Sequence, residues 1–346
     1  MCIREEREYN MDLDKILETC KDNIIISDMF TKANQVINNM GHNNIACFVS
    51  GGADSDVMID AITKIDFDRK VKFIWFNTGL EYQATKNHLD YLENRYNVEI
   101  IRERALKPIP MCVKEYGQPF LSKFVSENIR RLQKYNFKWE DKSYEELCEE
   151  YPKCNSAIQW WCNARDTGDF GFSFLNIDYN KYLKEFLIEN PPTFKVSNLC
   201  CDWAKKKVSK HYVKANKVDC ILLGVRKAEG GIRQSAFKQC YETDQHGIAN
   251  YRPLLWFTNM DKHLYNLKYD IVNSECYTKW GFTRTGCCGC PYAPKFMAEL
   301  KTMQKYEPQM YKAVNNIFKD SYEYTKKYRE FCVRKKNEAK GQILLF

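Results

Sequence analysis

Two groups of reactive residues stand out in the 346-residue chain. The first is Ser50-Gly51-Gly52-Ala53-Asp54-Ser55. Adjacent glycines let backbone N–H groups approach an anion without a Cβ in the way. Successive N–H groups ahead of a helix form an anion nest, with the positive end of the helix dipole behind it. Ser50 and Ser55 add hydroxyl donors, and Asp54 is suited to hold Mg²⁺. The chemistry is phosphate binding, against the plainer reading of a strand-to-helix turn. No Lys follows the glycines, so the loop is not the G-x-x-x-x-G-K-S/T type. The second group is Cys200-Cys201 and, further on, Cys287-Cys288-Gly289-Cys290. Its C-x₂-C part lets Cys287 and Cys290 meet one metal centre across a bend that Gly289 permits. On spacing alone, four thiolates (Cys200, Cys201, Cys287 and Cys290) serve zinc or an iron–sulfur cluster equally well. Cys288 is left outside this set.

Elements that can position the first group are legible on both sides of it. The apolar run Ile45 to Val49 reads as a buried strand, and helical periodicity follows the loop. Val71 to Phe76 and Val98 to Ile101 read as further strands, with an amphipathic helix from Gln83 to Tyr96 between them. A fourth strand runs through Asp219–Arg226. Strands alternating with helices predict an α/β fold with a doubly wound, mainly parallel sheet. Ligands in such sheets bind beyond the carboxyl ends of the strands. Asn77, Thr78 and Gly79 fall at one such end and are candidate base or ribose contacts, although an ordinary turn explains them too. Gly224, Arg226 and Arg233 fall at and beyond another, where two arginines suit bidentate recognition of phosphate or sulfate. Lys123 opens a helix after Gly117-Gln118-Pro119. It is a candidate phosphate or sulfate contact, or else a solvated charge. Asp56 places an additional carboxylate next to the phosphate loop, which is expected only if it faces a metal or solvent.

The rest of the chain is organised around these segments. Residues 1–40 read as N-terminal helices. Residues 41–136 and 196–294 carry the nucleotide-binding pattern and the cysteine motif. Residues 137–195 form an aromatic, acidic helical insertion, read as a lid or partner surface, and residues 295–346 form basic amphipathic helices. The net charge of +8 suits a polyanionic substrate without requiring nucleic acid. Twenty-two tyrosines interleaved with lysines can stack bases, but such patterns are more often an ordinary amphipathic face. Sixteen cysteines in a chain of this size without a secretory signal predict thiols and metal ligands rather than a disulfide scaffold. No apolar run is long enough to span a membrane, and the charged N-terminus lacks the centre of a signal peptide. The expectation is a cytoplasmic protein with no membrane partner.

SGGADS resembles the SGGxDS pyrophosphate loop of the N-type ATP pyrophosphatases, the adenine nucleotide alpha-hydrolase group. Asp56 stands where that group commonly has Thr or Ser. NTGLEY resembles the DTG segment of phosphoadenosine phosphosulfate (PAPS) reductase-like proteins, with Asn77 replacing Asp. GQPFLSK, the Arg226–Arg233 segment, YRPLLWFT and Arg284-Thr285-Gly286-Cys287 resemble further elements of that family. The cysteine pattern is similar to the CC…CxxC of adenylyl-sulfate reductases and of sulfur-transfer enzymes of DNA phosphorothioation, where it holds a 4Fe–4S cluster. The resemblance implies ATP or adenylyl sulfate with Mg²⁺ at residues 50–55, and catalytic roles for Asp54, Lys123 and Arg233. It also implies a 4Fe–4S cluster on Cys200, Cys201, Cys287 and Cys290, with zinc as the alternative. The expected function is ATP pyrophosphatase chemistry at the α-phosphate in support of sulfur transfer. DNA or tRNA is the candidate acceptor, and a cysteine desulfurase or another protein is the sulfur donor. Adenylyl-sulfate or PAPS reduction is one alternative, although the ECGxH tail of the true reductases is missing. A non-catalytic nucleotide sensor in a defence or regulatory complex is the other.

Overall fold

The computed structural model describes residues 13–166, 173–230, 234 and 236–343. They fall into two compact units, one of residues 1–106 and 204–285, the other of residues 107–203 and 286–346. The second unit therefore takes residues 107–136, 196–203 and 286–294, which the sequence reading grouped with the nucleotide-binding segments.

A six-stranded sheet organises the first unit. Its strands are β1 (Ile45–Val49), β2 (Lys72–Asn77), β3 (Ile100–Arg104), β4 (Cys220–Leu223), β5 (Tyr241–Thr243) and β6 (Ala249–Tyr251). Their spatial order is β3-β2-β1-β4-β6-β5. All neighbours are parallel except β5, which runs antiparallel to β6. This is the expected α/β architecture. The β5–β6 pair is an addition that the sequence reading did not place, being only three residues per strand.

Period-two alternation builds two cores from the same strands. Ile45, Cys47, Val49, Phe73, Trp75 and Leu222 join one core with helices α1 (Leu13–Cys20), α2 (Ile24–Asn34), α3 (Ala53–Ile65) and α4 (Gln83–Tyr96). Ala46, Phe48, Ile74, Phe76 and Ile221 face the other way, against Tyr212 and Val213 of α5 (Lys207–Ala215). With apolar cover on both faces, the strands read as continuous hydrophobic runs, as parallel sheets do. The chain leaves β1 toward β2 on one side and later returns as β4 on the other. The register pairs Ile45 with Cys220 and Phe48 with Leu223, so the carboxyl ends of β1 and β4 lie side by side at the switch of strand order, where doubly wound sheets bind ligands.

The second unit is helical, and its core is aromatic. Phe120, Phe137, Trp160, Trp161 and Phe186 are buried together with Tyr324, Tyr328 and Phe331. Of these, Phe331 and the two tyrosines belong to the long helix Lys319–Ile343. Among the described residues, no helix is long and apolar enough to cross a membrane.

Candidate functional site

The loop between β1 and α3 is shaped by its two glycines. Gly51 has φ +66, and a Cβ there would lie 2.7 Å from Thr85 Cγ2. Gly52 serves as the N-cap of α3 without any side-chain cap. A Cβ on Gly52 would lie 3.0 Å from the Tyr277 hydroxyl and 3.3 Å from Thr285 Oγ1. Ser55 Oγ accepts from Ser50 N–H at 2.9 Å and pairs with Ser50 Oγ at 2.9 Å, closing the loop on itself. Ala53 opens the helix and is buried. Tyr277 stands over this start. Its hydroxyl pairs with Thr285 Oγ1 at 2.8 Å and accepts from Thr285 N–H at 3.2 Å. Burial raises the Tyr277 pKa, against hydrogen bonds to Thr285 and to the Ala53 backbone.

Asp54 is the electrostatic centre. Its Oδ1 accepts from Arg226 Nε at 2.9 Å and from Lys262 Nζ at 2.9 Å. Arg226 reaches it from the end of β4, with Gly224 in between; a Cβ on Gly224 would sit 3.7 Å from the Asp54 carbonyl. Buried to 5 % exposure, Arg226 also donates from Nη1 to Asn259 Oδ1 at 3.1 Å. Lys262 comes from helix α6 (Asn259–Lys268), whose start is fixed by a capping box between Thr258 and Asp261. Asp261 also accepts from Asn23 Nδ2 at 2.9 Å, which ties α6 to the N-cap of α2. Burial pushes Asp261 up, but hydrogen bonds from Asn23 and Thr258 bring it below its ordinary value.

Asp56 is turned to neither the glycine loop nor solvent. It is fully buried, accepts from Asn273 Nδ2 at 2.7 Å and pairs with His88 Nε2 at 2.9 Å. The expectation that this carboxylate needs a metal or solvent is corrected, because the fold supplies a histidine and an amide instead. The β2 end is also largely self-satisfied. Asn77 Oδ1 accepts from Gly79 N–H at 3.0 Å, an Asx turn that Gly79 completes at φ +85. Thr78 is buried and donates its hydroxyl to Glu81 at 2.5 Å. These contacts fit the turn reading of Asn77 and Thr78. Arg233 lies outside the described residues. Lys123 is exposed at the start of helix Lys123–Lys134 in the second unit.

All four candidate metal-ligating cysteines belong to the second unit. Cys200 is buried to 5 % exposure. Its hydrogen bond with Cys201, burial, and the neighbouring thiols of Cys201, Cys290 and Cys287 push its pKa far above the ordinary value. Cys287 and Cys290 bracket a tight turn in which Cys290 N–H donates to Cys287 O at 3.2 Å. Gly289 sits in it at φ +58, and a Cβ there would be 2.6 Å from Tyr322 Oη. Cys288 is buried. Cys201, Cys287 and Cys290 thus lie near enough to Cys200 to act on its thiol, while among the described residues no three His, Cys, Asp or Glu side chains are set for a single metal ion.

Lys262, Tyr277, Asn259 and the His88–Asn273 partners of Asp56 were not found from sequence. Lys262 is 208 residues from Asp54, and its only local sign is the Thr258–Asp261 box that fixes the helix start beside it. Of the two readings of the tyrosines, the C-terminal helix fits the ordinary amphipathic face. Tyr324 and Tyr328 lie in the aromatic core, donating to Asn190 O at 2.5 Å and to Lys181 O at 2.7 Å. Basic residues of the same helix are paired in part, Lys335 with Glu185 at 2.7 Å and Arg334 with Glu189 at 3.3 Å. This is the ordinary amphipathic face.

Comparison with known proteins matches residues 44–137 and 175–293 to the phosphoadenosine phosphosulfate reductase domain. No curated protein sequence matches the chain. Among solved structures, the chain is similar to a phosphoadenylyl-sulfate (PAPS) reductase from Candida auris at 13% identity, covering 83% of this chain and 97% of that one, with a TM-score of 0.41. It is similar to an FMN adenylyltransferase from Candida glabrata at 11% identity, over 81% of this chain and 72% of the other, with a TM-score of 0.40. A U34-tRNA thiolase, NcsA, from Methanococcus maripaludis with its 4Fe–4S cluster is 12% identical over 87% of this chain and 79% of its own, with a TM-score of 0.37.

Proposed function

Since the chain belongs to the phosphoadenosine phosphosulfate reductase domain family, we propose that it is an enzyme that binds an adenine nucleotide at residues 50–55 and supports sulfur transfer. One observation carries this reading. Two cations, Arg226 and Lys262, converge on Asp54 Oδ1 at the head of α3. They leave one positive charge in excess beside a glycine loop, at the switch point of the sheet. Such a place holds phosphates by positioning and electrostatics. With Mg·ATP as substrate, an acceptor oxygen would attack the α-phosphorus. The bond to the bridging oxygen then breaks and pyrophosphate leaves. The terminal sulfur of a persulfide on a donor protein, such as a cysteine desulfurase, then displaces AMP, and a thiol attacks the resulting S–S bond, leaving the sulfur on the acceptor and a disulfide on the protein side. Ser50, Gly51, Gly52, Ala53 and Ser55 would hold phosphate oxygens. Arg226, and Arg233 beyond it, would offset their charge. A nucleic acid, DNA or tRNA, is the acceptor class this reading takes.

The cysteine set supports the sulfur half of the reading. Cys200, Cys201, Cys287 and Cys290 would hold a 4Fe–4S cluster, which would tune the sulfur chemistry; with every iron held by a cysteine none is open to sulfide, so sulfur would come from the donor. The reductase alternative gains no support from Cys332. Cys332 is the only cysteine after residue 300, and it sits within helix Lys319–Ile343, donating to Lys181 O at 3.6 Å. The sensor alternative loses one of its grounds, because the Asp56 carboxylate is turned away from the loop.

Incubation of the protein with α-labelled ATP, Mg²⁺ and candidate tRNA or DNA acceptors tests the proposal. Pyrophosphate release with AMP is the expected result, and orthophosphate alone would overturn it. Anaerobic purification should give a brown protein absorbing near about 400 nm. A colourless protein with one equivalent of zinc would sink the cluster assignment.

A further inference from the structure

The geometry around Asp54 points to a role for Lys262 that the sequence motifs do not carry. Asp54 Oδ1 accepts from both cations at 2.9 Å, while Arg226 alone would neutralise the carboxylate. Arg226 is also held by Asn259 Oδ1 and is buried. Lys262 is the more accessible of the two, its side chain 23% exposed against 6% for Arg226. Nothing in the packing of α6 demands a charge there, since the helix start is fixed by Thr258, Asp261 and Asn23. An ammonium is a compact charge on a flexible stem, so Lys262 can turn from Asp54 to a competing anion, whereas Arg226 is anchored.

We propose that Lys262 is an exchange residue of the nucleotide site: it neutralises Asp54 in the free protein and passes to the phosphates beyond the α-position when a nucleoside di- or triphosphate binds. This rests on the reading of residues 50–55 as a nucleotide loop, and it makes Lys262 a determinant of how many phosphates the site prefers. AMP offers a single phosphate and gains little from the exchange. ADP and ATP offer further anionic oxygens and gain the full charge-assisted contact, which for one such bond is worth roughly a tenfold change in affinity or more.

Titration calorimetry of AMP, ADP and ATP against the full chain tests this. For Lys262→Met the expected result is a loss of about tenfold in ATP affinity with AMP affinity unchanged within about twofold. Lys262→Arg should recover most of the loss. Equal weakening of AMP and ATP would show a structural role and overturn the inference, as would unchanged ATP binding. Asp54→Asn, titrated with ATP in metal-free buffer, provides an independent arm. It frees Lys262 while Asn259 still holds Arg226, so ATP should bind more tightly than to the wild type; unchanged or weaker binding overturns the exchange. A wild-type protein that binds none of the three nucleotides overturns the nucleotide reading itself, a result distinct from a Lys262 variant that binds as well as its parent.

Discussion

The two units hold their candidate chemistry in different ways. In the sheet unit the loop is shaped by polar contacts: Ser50 with Ser55, Asp54 with two cations, and Asp56 with His88 and Asn273. In the helical unit the candidate cysteines have Tyr292 and Tyr322 as neighbours, and the core is made of tilted and edge-on aromatics. Tyr292 donates to Ser197 O at 3.4 Å, and burial followed by the nearby Cys200, Cys201 and Cys290 raises its pKa. A site that must manage charge is built from hydrogen bonds of fixed direction. A site that must shield thiols is built from bulk.

Variants can break or sharpen this contrast. The largest effect is expected in the aromatic core. Trp161 is fully buried and donates Nε1–H to Glu140 O at 3.0 Å, so Trp161→Ala should cost about 3–5 kcal/mol in urea denaturation. If packing alone matters there, the loss will not depend on salt. His88→Ala should approach it in the sheet unit, at about 3 kcal/mol, because it strands the buried Asp56 carboxylate. A loss below about 1 kcal/mol would mean that Asn273 suffices and that the polar account of this unit is wrong. Gly51→Ala forces a side chain into left-handed backbone and onto Thr85, and should cost about 1–2 kcal/mol while abolishing nucleotide binding. The smallest effect belongs to Asp261. Its folded pKa is lowered, so its stabilisation is present above its unfolded pKa and is lost as pH falls through the folded one. Asp261→Asn should therefore be less stable by about 1 kcal/mol at neutral pH, and the gap to wild type should shrink below about pH 4.

The sheet was legible because its signals are local. Ile45–Val49 and Gln83–Tyr96 fall where the apolar run and the helical period place them, and SGGADS announces its own turn. Strand ends were less so. The fourth strand stops at Leu223 rather than running to Arg226, because Arg226 is drawn aside to Asp54. What stayed hidden depends on tertiary partners. Nothing near Asp56 in sequence reveals that His88 and Asn273 will meet it. The tyrosines of Lys319–Ile343 have the same spacing whether they face bases or a core, and only Phe186 and Phe120 packing on Tyr324 and Tyr328 decides it.

The two ends of the sheet bear on how the protein behaves at high concentration. An open strand edge is a template for another chain's backbone, and charge or brevity blunts it. The β3 edge ends in Arg102, Glu103 and Arg104, with Arg102 held by Asp90 at 2.5 Å and by Glu93 at 2.6 Å. The opposite edge is the three-residue β5, turned antiparallel. One border carries charged side chains and the other is short, and both features blunt edge-to-edge pairing of the sheet.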